Sequence, residues 1–188
     1  YSNLGAAGAV QANAIVFTGG ANSLKLGSTG AIDGNISVAG TLSIDPGTTA
    51  VGSATLGNVI HGTGSLIKAG DGRLVLTGAN TYTTGTVFAA GILNVGSAGA
   101  LGTSSILNFR GGTLQYSAAN QADYSHRFSA AAGQQFNVDT NGQDVTWASD
   151  LSSSGGSLSK VGARTLKLTG SNDFGGGVTI GAGIIDAA

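Results

Sequence analysis

Residues 62–96 and 154–188 spell nearly the same sequence at a constant offset of 92 residues, with no gap. The first copy reads GTGSLIKAGDGRLVLTGANTYTTGTVFAAGILNVG and the second SGGSLSKVGARTLKLTGSNDFGGGVTIGAGIIDAA. Leu66, Leu74 and Leu76 recur as Leu158, Leu166 and Leu168, whereas Ile67 becomes Ser159 and Val75 becomes Lys167. A position that accepts either Val or Lys faces water, and the leucines beside it face a core. That alternation is the period-2 signature of a half-buried strand. The same parity continues through Phe88/Ile180, next to Val87/Thr179, and through Leu93/Ile185, next to Asn94/Asp186. It predicts that Leu74, Leu76, Leu166 and Leu168 are buried and that Val75 and Lys167 are exposed.

Glycines recur between these strands, at Gly64/Gly156, Gly70/Gly162, Gly78/Gly170, Gly85/Gly177 and Gly91/Gly183, where a tight corner is needed. Units of short strands and glycine corners cannot each close a core, so they must stack. Composition agrees with a folded, small-residue core. There are 34 Gly and one Pro, Pro46, while 41% of residues are hydrophobic and only 9% charged, which is the reverse of a disordered chain. The glycines follow no three-residue period, so collagen is excluded. No run approaches a membrane-spanning apolar helix. A net charge of −1 gives no electrostatic reason to bind nucleic acid or anionic lipid.

The strand-and-corner rhythm runs along the whole chain, with alternating runs at 14–17, 23–26, 31–38, 41–44, 49–56, 105–109, 113–116, 125–128, 135–138 and 144–147 as well as inside the two copies. No segment has a helical period with a cap, which predicts little or no α-helix, and no linker interrupts residues 1–188, so one continuous domain is expected. Two all-β architectures suit this rhythm, a parallel β-helix and an antiparallel sandwich or barrel. Hairpin dipeptides occur at Asp33-Gly34, Asp71-Gly72 and Asn141-Gly142, but the second copy replaces Asp71-Gly72 with Ala163-Arg164. With about 20 residues per coil the chain would form about nine coils, a rod on the order of 45 Å long. The chain has no Met and begins at Tyr1, and it stops inside the second copy, so it reads as a piece of a longer protein.

Residues with chemical potential are sparse. There is no Cys and no Glu. His61 and His126 lack a second ligand at metal spacing, and no nucleophile elbow occurs. Asp139, Asn141 and Asp144, followed by Asp150, resemble a calcium loop in their oxygen spacing, but Gly142 is misplaced for one, so a corner between coils is the expected role. Coils of about 20 residues could align Asp123 with Asp144 as a glycan-cleaving pair, with Trp147 as a sugar platform, although a strand position suits Trp147 equally well. Tyr82 and Phe174 occupy equivalent positions, which suits an aromatic packed at a coil edge. Asn35-Ile-Ser37 has the form of an N-glycosylation sequon. No catalytic, cofactor-binding or metal residue is assigned, and no cofactor is expected.

The strings GSLIKAGDGRLVLTGANTYTTGTVFAAGILNVG and GSLSKVGARTLKLTGSNDFGGGVTIGAGII resemble the passenger-associated transport repeat of autotransporter passenger domains. Arg164 departs from the family's usual Gly, and Phe174 from its usual Tyr, present here as Tyr82. The resemblance implies a right-handed single-stranded parallel β-helix, extracellular on or released from a Gram-negative bacterium. It implies a non-enzymatic stalk or adhesin segment, whose partners are other copies of itself or the surface of a host or neighbouring cell. The alternative is a β-helical glycan-binding or glycan-cleaving module. Uncapped coils at Tyr1–Val10 and at Ile184-Ile185 would favour head-to-tail association or filaments.

Overall fold

A computed structural model describes residues 13–27, 31–47, 53–103 and 106–187. Its named strands pair only in parallel, as the coil alternative requires. The hairpin dipeptides therefore serve as corners. One isolated antiparallel bridge, Ser117 to Asn120, lies outside the strands.

The strands stand in three columns. The first begins with Asn13–Phe17, Asn35–Val38 and Ile60–His61. The second holds Ala21–Lys25, Thr41–Asp45, Ser65–Lys68, Gly85–Phe88 and Ile106–Phe109. The third runs without interruption through Ser53–Leu56, Arg73–Leu76, Ile92–Val95, Thr113–Gln115, Gln135–Asp139, Ser157–Val161 and Val178–Ile180. Irregular segments carry the first column onward. Thr81 donates its N–H to Ile60 O, Asn80 to Gly99 O, and Arg127 reaches Leu101 O, until the column resumes as Val145–Trp147, Thr165–Leu168 and Ile184–Ala187. The second column passes through a bridge from Leu107 to Phe128, then through Ser153, whose hydroxyl donates to Ala131 O, to Ser152–Ser153 and Asp173–Phe174. The seven strands of the third column and the turn begun by Asn13–Phe17 make a parallel β-solenoid of about eight turns.

The described residues build about eight turns, against the nine coils expected of the whole chain. Along the third column Ala54, Leu74, Leu93, Leu114, Val138, Lys160 and Ile180 lie in register, so a turn takes from 19 to 24 residues. The longest, from Leu114 to Val138, contains a 3-10 helix at Ser125–Arg127. This corrects the strand expected at 125–128. The Asp123 carboxylate accepts from both the N–H and the hydroxyl of Ser125, and Arg127 and Phe128 donate N–H groups to Tyr124 O and Ser125 O, which fixes a tight helical turn there. Among the described residues there is no α-helix.

The alternation holds. Leu74, Leu76, Leu166 and Leu168 are buried, and Lys167 is exposed beside Asp186 at 3.9 Å. Val75, expected in water, is half-buried, because Thr55 and Asn94 flank it in register about 4.8 Å away on either side. Phe88 is buried but its counterpart Ile180 is 52% exposed, since no described strand lies over it. The core gains an aromatic seam. Phe88 stacks on Phe109 at 4.7 Å between ring centroids, Phe109 meets Phe128 at 4.9 Å and Phe136 at 5.5 Å, and Phe128 meets Trp147 at 4.8 Å. Corners stack backbone on backbone. At Gly91, with φ +59°, a Cβ would meet Gly70 O at 2.5 Å and Gly72 O at 2.6 Å, so no side chain fits.

The two repeat copies occupy different walls. In the first, Ser65–Lys68 lies in the second column and Arg73–Leu76 in the third. In the second, the equivalent Ser157–Lys160 lies in the third and Thr165–Leu168 in the first. From Ser65–Lys68 the second column is revisited at Gly85–Phe88, Ile106–Phe109, Phe128 and Ser152–Ser153 before Ser157 is reached, so 92 residues advance four turns and one wall. Residues 1–12, including the Tyr1–Val10 segment read as an uncapped end, lie outside the described residues.

Candidate functional site

The most unusual side chains in the interior are two lysines at equivalent repeat positions. In Ser65–Lys68 the strand parity that buries Leu66 also turns Lys68 inward, into a file of Leu24, Ile44, Phe88 and Phe109. Lys68 is 0% exposed, and its Nζ donates to Ala69 O and Gly70 O at 2.7 Å and to Ala90 O at 3.1 Å. Lys160 is also 0% exposed, between Val138 and Ile180. Its Nζ donates to Gly162 O at 2.8 Å, Ala182 O at 3.0 Å, Thr140 Oγ1 at 3.2 Å and Val161 O at 3.4 Å. Burial pushes Lys68 down to about 8, against the pull of Asp45 and Asp71, and lowers Lys160 against the pull of Asp139.

A second recurrent pair is Asn80 and Asn172. Asn80 Oδ1 accepts from Ile60 N at 2.8 Å while its Nδ2 donates to Ala100 O at 2.7 Å, so one amide ties three turns. Asn172 Oδ1 accepts from Leu151 N at 3.2 Å. Tyr82 is buried, as the coil-packing role requires, with its hydroxyl 2.7 Å from Thr86 Oγ1, and burial raises its ionisation well above the usual range. Phe174 meets Phe136 edge-on at 6.2 Å.

The carboxylates singled out by spacing each serve a corner. Asp139 accepts from Asn141 N at 2.8 Å and from Gln115 Nε2 at 2.7 Å, Asp144 from Thr165 N at 2.9 Å, and Asp150 from Ser171 N at 2.7 Å. Asn141, at φ 49°, turns the chain there with Gly142. Asp123 accepts from Ala148 N at 2.8 Å, four residues beyond Asp144, so the structure does not bring these two carboxylates together as a catalytic pair. Among the described residues no three His, Cys, Asp or Glu gather into a cation site. His61 Nε2 lies 2.7 Å from Asn13 Oδ1, and His126 is exposed on the 3-10 turn.

Trp147 is fully buried and donates Nε1–H to Tyr116 OH at 2.8 Å, which removes it as a sugar platform. Tyr82, Tyr116, Tyr124, Phe88, Phe109 and Phe136 are buried too. Asn35 of the sequon is buried in its strand. What faces outward is mostly short and polar, as in the third column's file of Ser53, Arg73, Ile92, Thr113, Asn137 and Ser159. Above it, Arg73 donates to Gln115, which also accepts from Asn94 and donates to Asp139, a hydrogen-bonded chain of side chains across four turns. Spacing alone did not single out the lysines or this chain, although parity from Leu66 and Leu158 would have placed Lys68 and Lys160 inside.

The passenger-associated-transport-repeat family matches residues 66–95 and 158–187, within the two copies and at the same offset. Over 57 residues the chain is 47% identical to the adhesin BmaC autotransporter of Brucella suis biovar 1, a match that covers 30% of this chain and 2% of that adhesin. The chain thus spans a small fraction of the length of this curated relative. No solved structure matches it. Two inward lysines, two bridging asparagines and two sets of corner glycines fall inside the matched segments. The chain is a parallel β-solenoid that carries two passenger-associated transport repeats of the autotransporter passenger type.

Proposed function

We propose that this chain is a non-enzymatic, extracellular stalk and adhesin segment of an autotransporter-type surface protein of a Gram-negative bacterium. The observation that carries this reading is the pair of transport repeats built into one stack of parallel turns, together with the likeness to an autotransporter adhesin. The interior chemistry is committed to holding turns together, which suits a rod better than a reaction centre. Its outward files offer hydrogen-bonding Ser, Thr and Asn side chains, suited to weak, repeated contacts with a host or neighbouring cell, or with another copy.

Beads coated with the purified segment test the reading. Binding to cultured host cells, or bead-to-bead clumping, above that of heat-unfolded segment is expected. Absence of both would refute adhesion, and release of sugar from a panel of polysaccharides would refute the non-enzymatic role. Sedimentation over a wide concentration range separates the two partners. Growth of larger species with concentration supports self-association, and a monomer throughout leaves the cell surface as the partner.

A further inference from the structure

A methionine would fill the space of Lys68 or Lys160 without burying a charge, so the ammonium is accounted for by what its three donors do. Two acceptors of Lys68, Ala69 O and Gly70 O, belong to the corner of its own turn, and the third, Ala90 O, to the corner one turn on. Lys160 repeats this with Val161 O, Gly162 O and Ala182 O, and adds Thr140 Oγ1 of the turn before. The carbonyls correspond one to one at the 92-residue offset, although the two lysines stand on different walls. The arrangement therefore travels with the repeat and does not depend on one place in the stack.

Register is the property such a contact can set. Inward and outward residues alternate, so a slip of one residue between neighbouring strands reverses the faces and is strongly opposed, whereas a slip of two preserves them. The glycine corners limit register by exclusion, since no side chain fits at Gly91 over Gly70 and Gly72, but their close backbone approach supplies no side-chain hydrogen bond that selects one carbonyl of the next turn. We propose that Lys68 and Lys160 are register clamps, each using its buried ammonium to fix which corner carbonyl of the following turn lies over the repeat. Buried polar groups are known to choose among packings in this way at a cost in stability. The clamp closes only when the following turn is in place, so each repeat recruits the turn that comes after it.

Amide exchange measured residue by residue by NMR tests the clamp. Ala89 and Ala90 donate to Lys68 O at 3.0 and 3.2 Å, and Ile92 to Gly72 O at 3.3 Å. In Lys68→Met these three amides should exchange about tenfold faster or more, with Leu158 and Gly181 unchanged. In Lys160→Met the faster sites should be Gly181 and Ile184, which donate to Lys160 O and Arg164 O, with Ala89 and Ala90 unchanged. Unchanged exchange at the named corner in either variant would overturn the proposal. So would a uniform rise across all turns, which would make the lysines general stabilisers. Should Lys68→Met fail to fold, Lys160→Met decides, because the remaining turns keep their own clamp.

Discussion

Phe109→Leu is the sharpest test of how the turns are joined. Phe109 is fully buried and is the one ring that touches Phe88 on the preceding turn and both Phe128 and Phe136 on the long turn that follows. Each aromatic pair is worth about 0.5–1.5 kcal/mol beyond area burial, so losing three amounts to about 1.5–4.5 kcal/mol, with leucine retaining most of the remaining apolar contact. Val87→Thr, one wall position away and pointing outward, changes a half-buried side chain and should cost under about 1 kcal/mol. Trp147 is the only tryptophan, and it packs on Phe128, so its fluorescence reports on the turns next to Phe109 while far-ultraviolet circular dichroism reports on the whole stack. Urea unfolding followed by both signals should show a large shift of the tryptophan transition for Phe109→Leu and almost none for Val87→Thr. Stacked turns need not unfold in one step, so the two signals are expected to separate in the variant. Equal losses for the two variants, or a Phe109→Leu loss below about 1 kcal/mol, would refute the seam as the joint.

Lys68 supplies a pH prediction. Its folded value of about 8 lies below the unfolded 10.5, so between them the unfolded chain holds more protons and stability rises with pH through that window, levelling off below it. Subtracting the urea midpoints of Lys68→Met from those of the parent isolates this group, and a difference that falls from pH 8 to 10.5 would contradict the burial argument. Asp123→Ala removes the acceptor of three hydrogen bonds, to Ser125 N, Ser125 Oγ and Ala148 N, and should cost about 1.5–3 kcal/mol, seen as loss of the 3-10 turn's amide protection. Thermal melts with calcium and with chelator should superimpose, because Asp139, Asp144 and Asp150 are each engaged by backbone amides; a calcium-dependent rise in Tm would reassign that corner.

Strands were legible because substitution between the copies separates two faces at sight, Leu74 and Leu166 inside against Val75 and Lys167 outside. The same parity was readable for Lys68 and Lys160, but a charged side chain two residues after a buried leucine contradicts the ordinary rule that charge faces water, and the rule obscured the pattern. Val75 shows the limit of a two-state reading, since neighbours along the stack half-cover a residue that points outward. The 3-10 turn at Ser125–Arg127 was hidden because it is set up by the Asp123 carboxylate accepting from the N–H and hydroxyl of Ser125, which the apolar rhythm of SHRF does not reveal. The advance by one wall was hidden as well. A constant sequence offset says nothing about how many turns it spans: four turns of the second column carry the chain from Ser65 to Ser152, and the five further residues to Ser157 place the second copy on the next wall.

That rotation separates what the repeat must keep from what it is free to vary. Each wall offers the same inward parity to one common core, so the same leucines, lysine and corner glycines fit on any wall. Asn94, expected outside like Asp186, is buried by its hydrogen bonds to Gln115 and Tyr116 O, whereas the outward partners Ile67/Ser159 and Val75/Lys167 project from adjacent walls and differ in chemistry without disturbing the stack. If the interior is indifferent to them, writing the first copy's residue into the second should be silent for folding. Lys167→Val is the strict case, since it also breaks the exposed pair with Asp186 at 3.9 Å, a contact worth at most about 1 kcal/mol in water. Its unfolding midpoint should stay within about 0.5 kcal/mol of the parent's, while binding of coated beads to cells is free to change. A loss above about 2 kcal/mol, in the range of a core defect, would mean that the outer files help specify the solenoid and that its surface is not free to diversify.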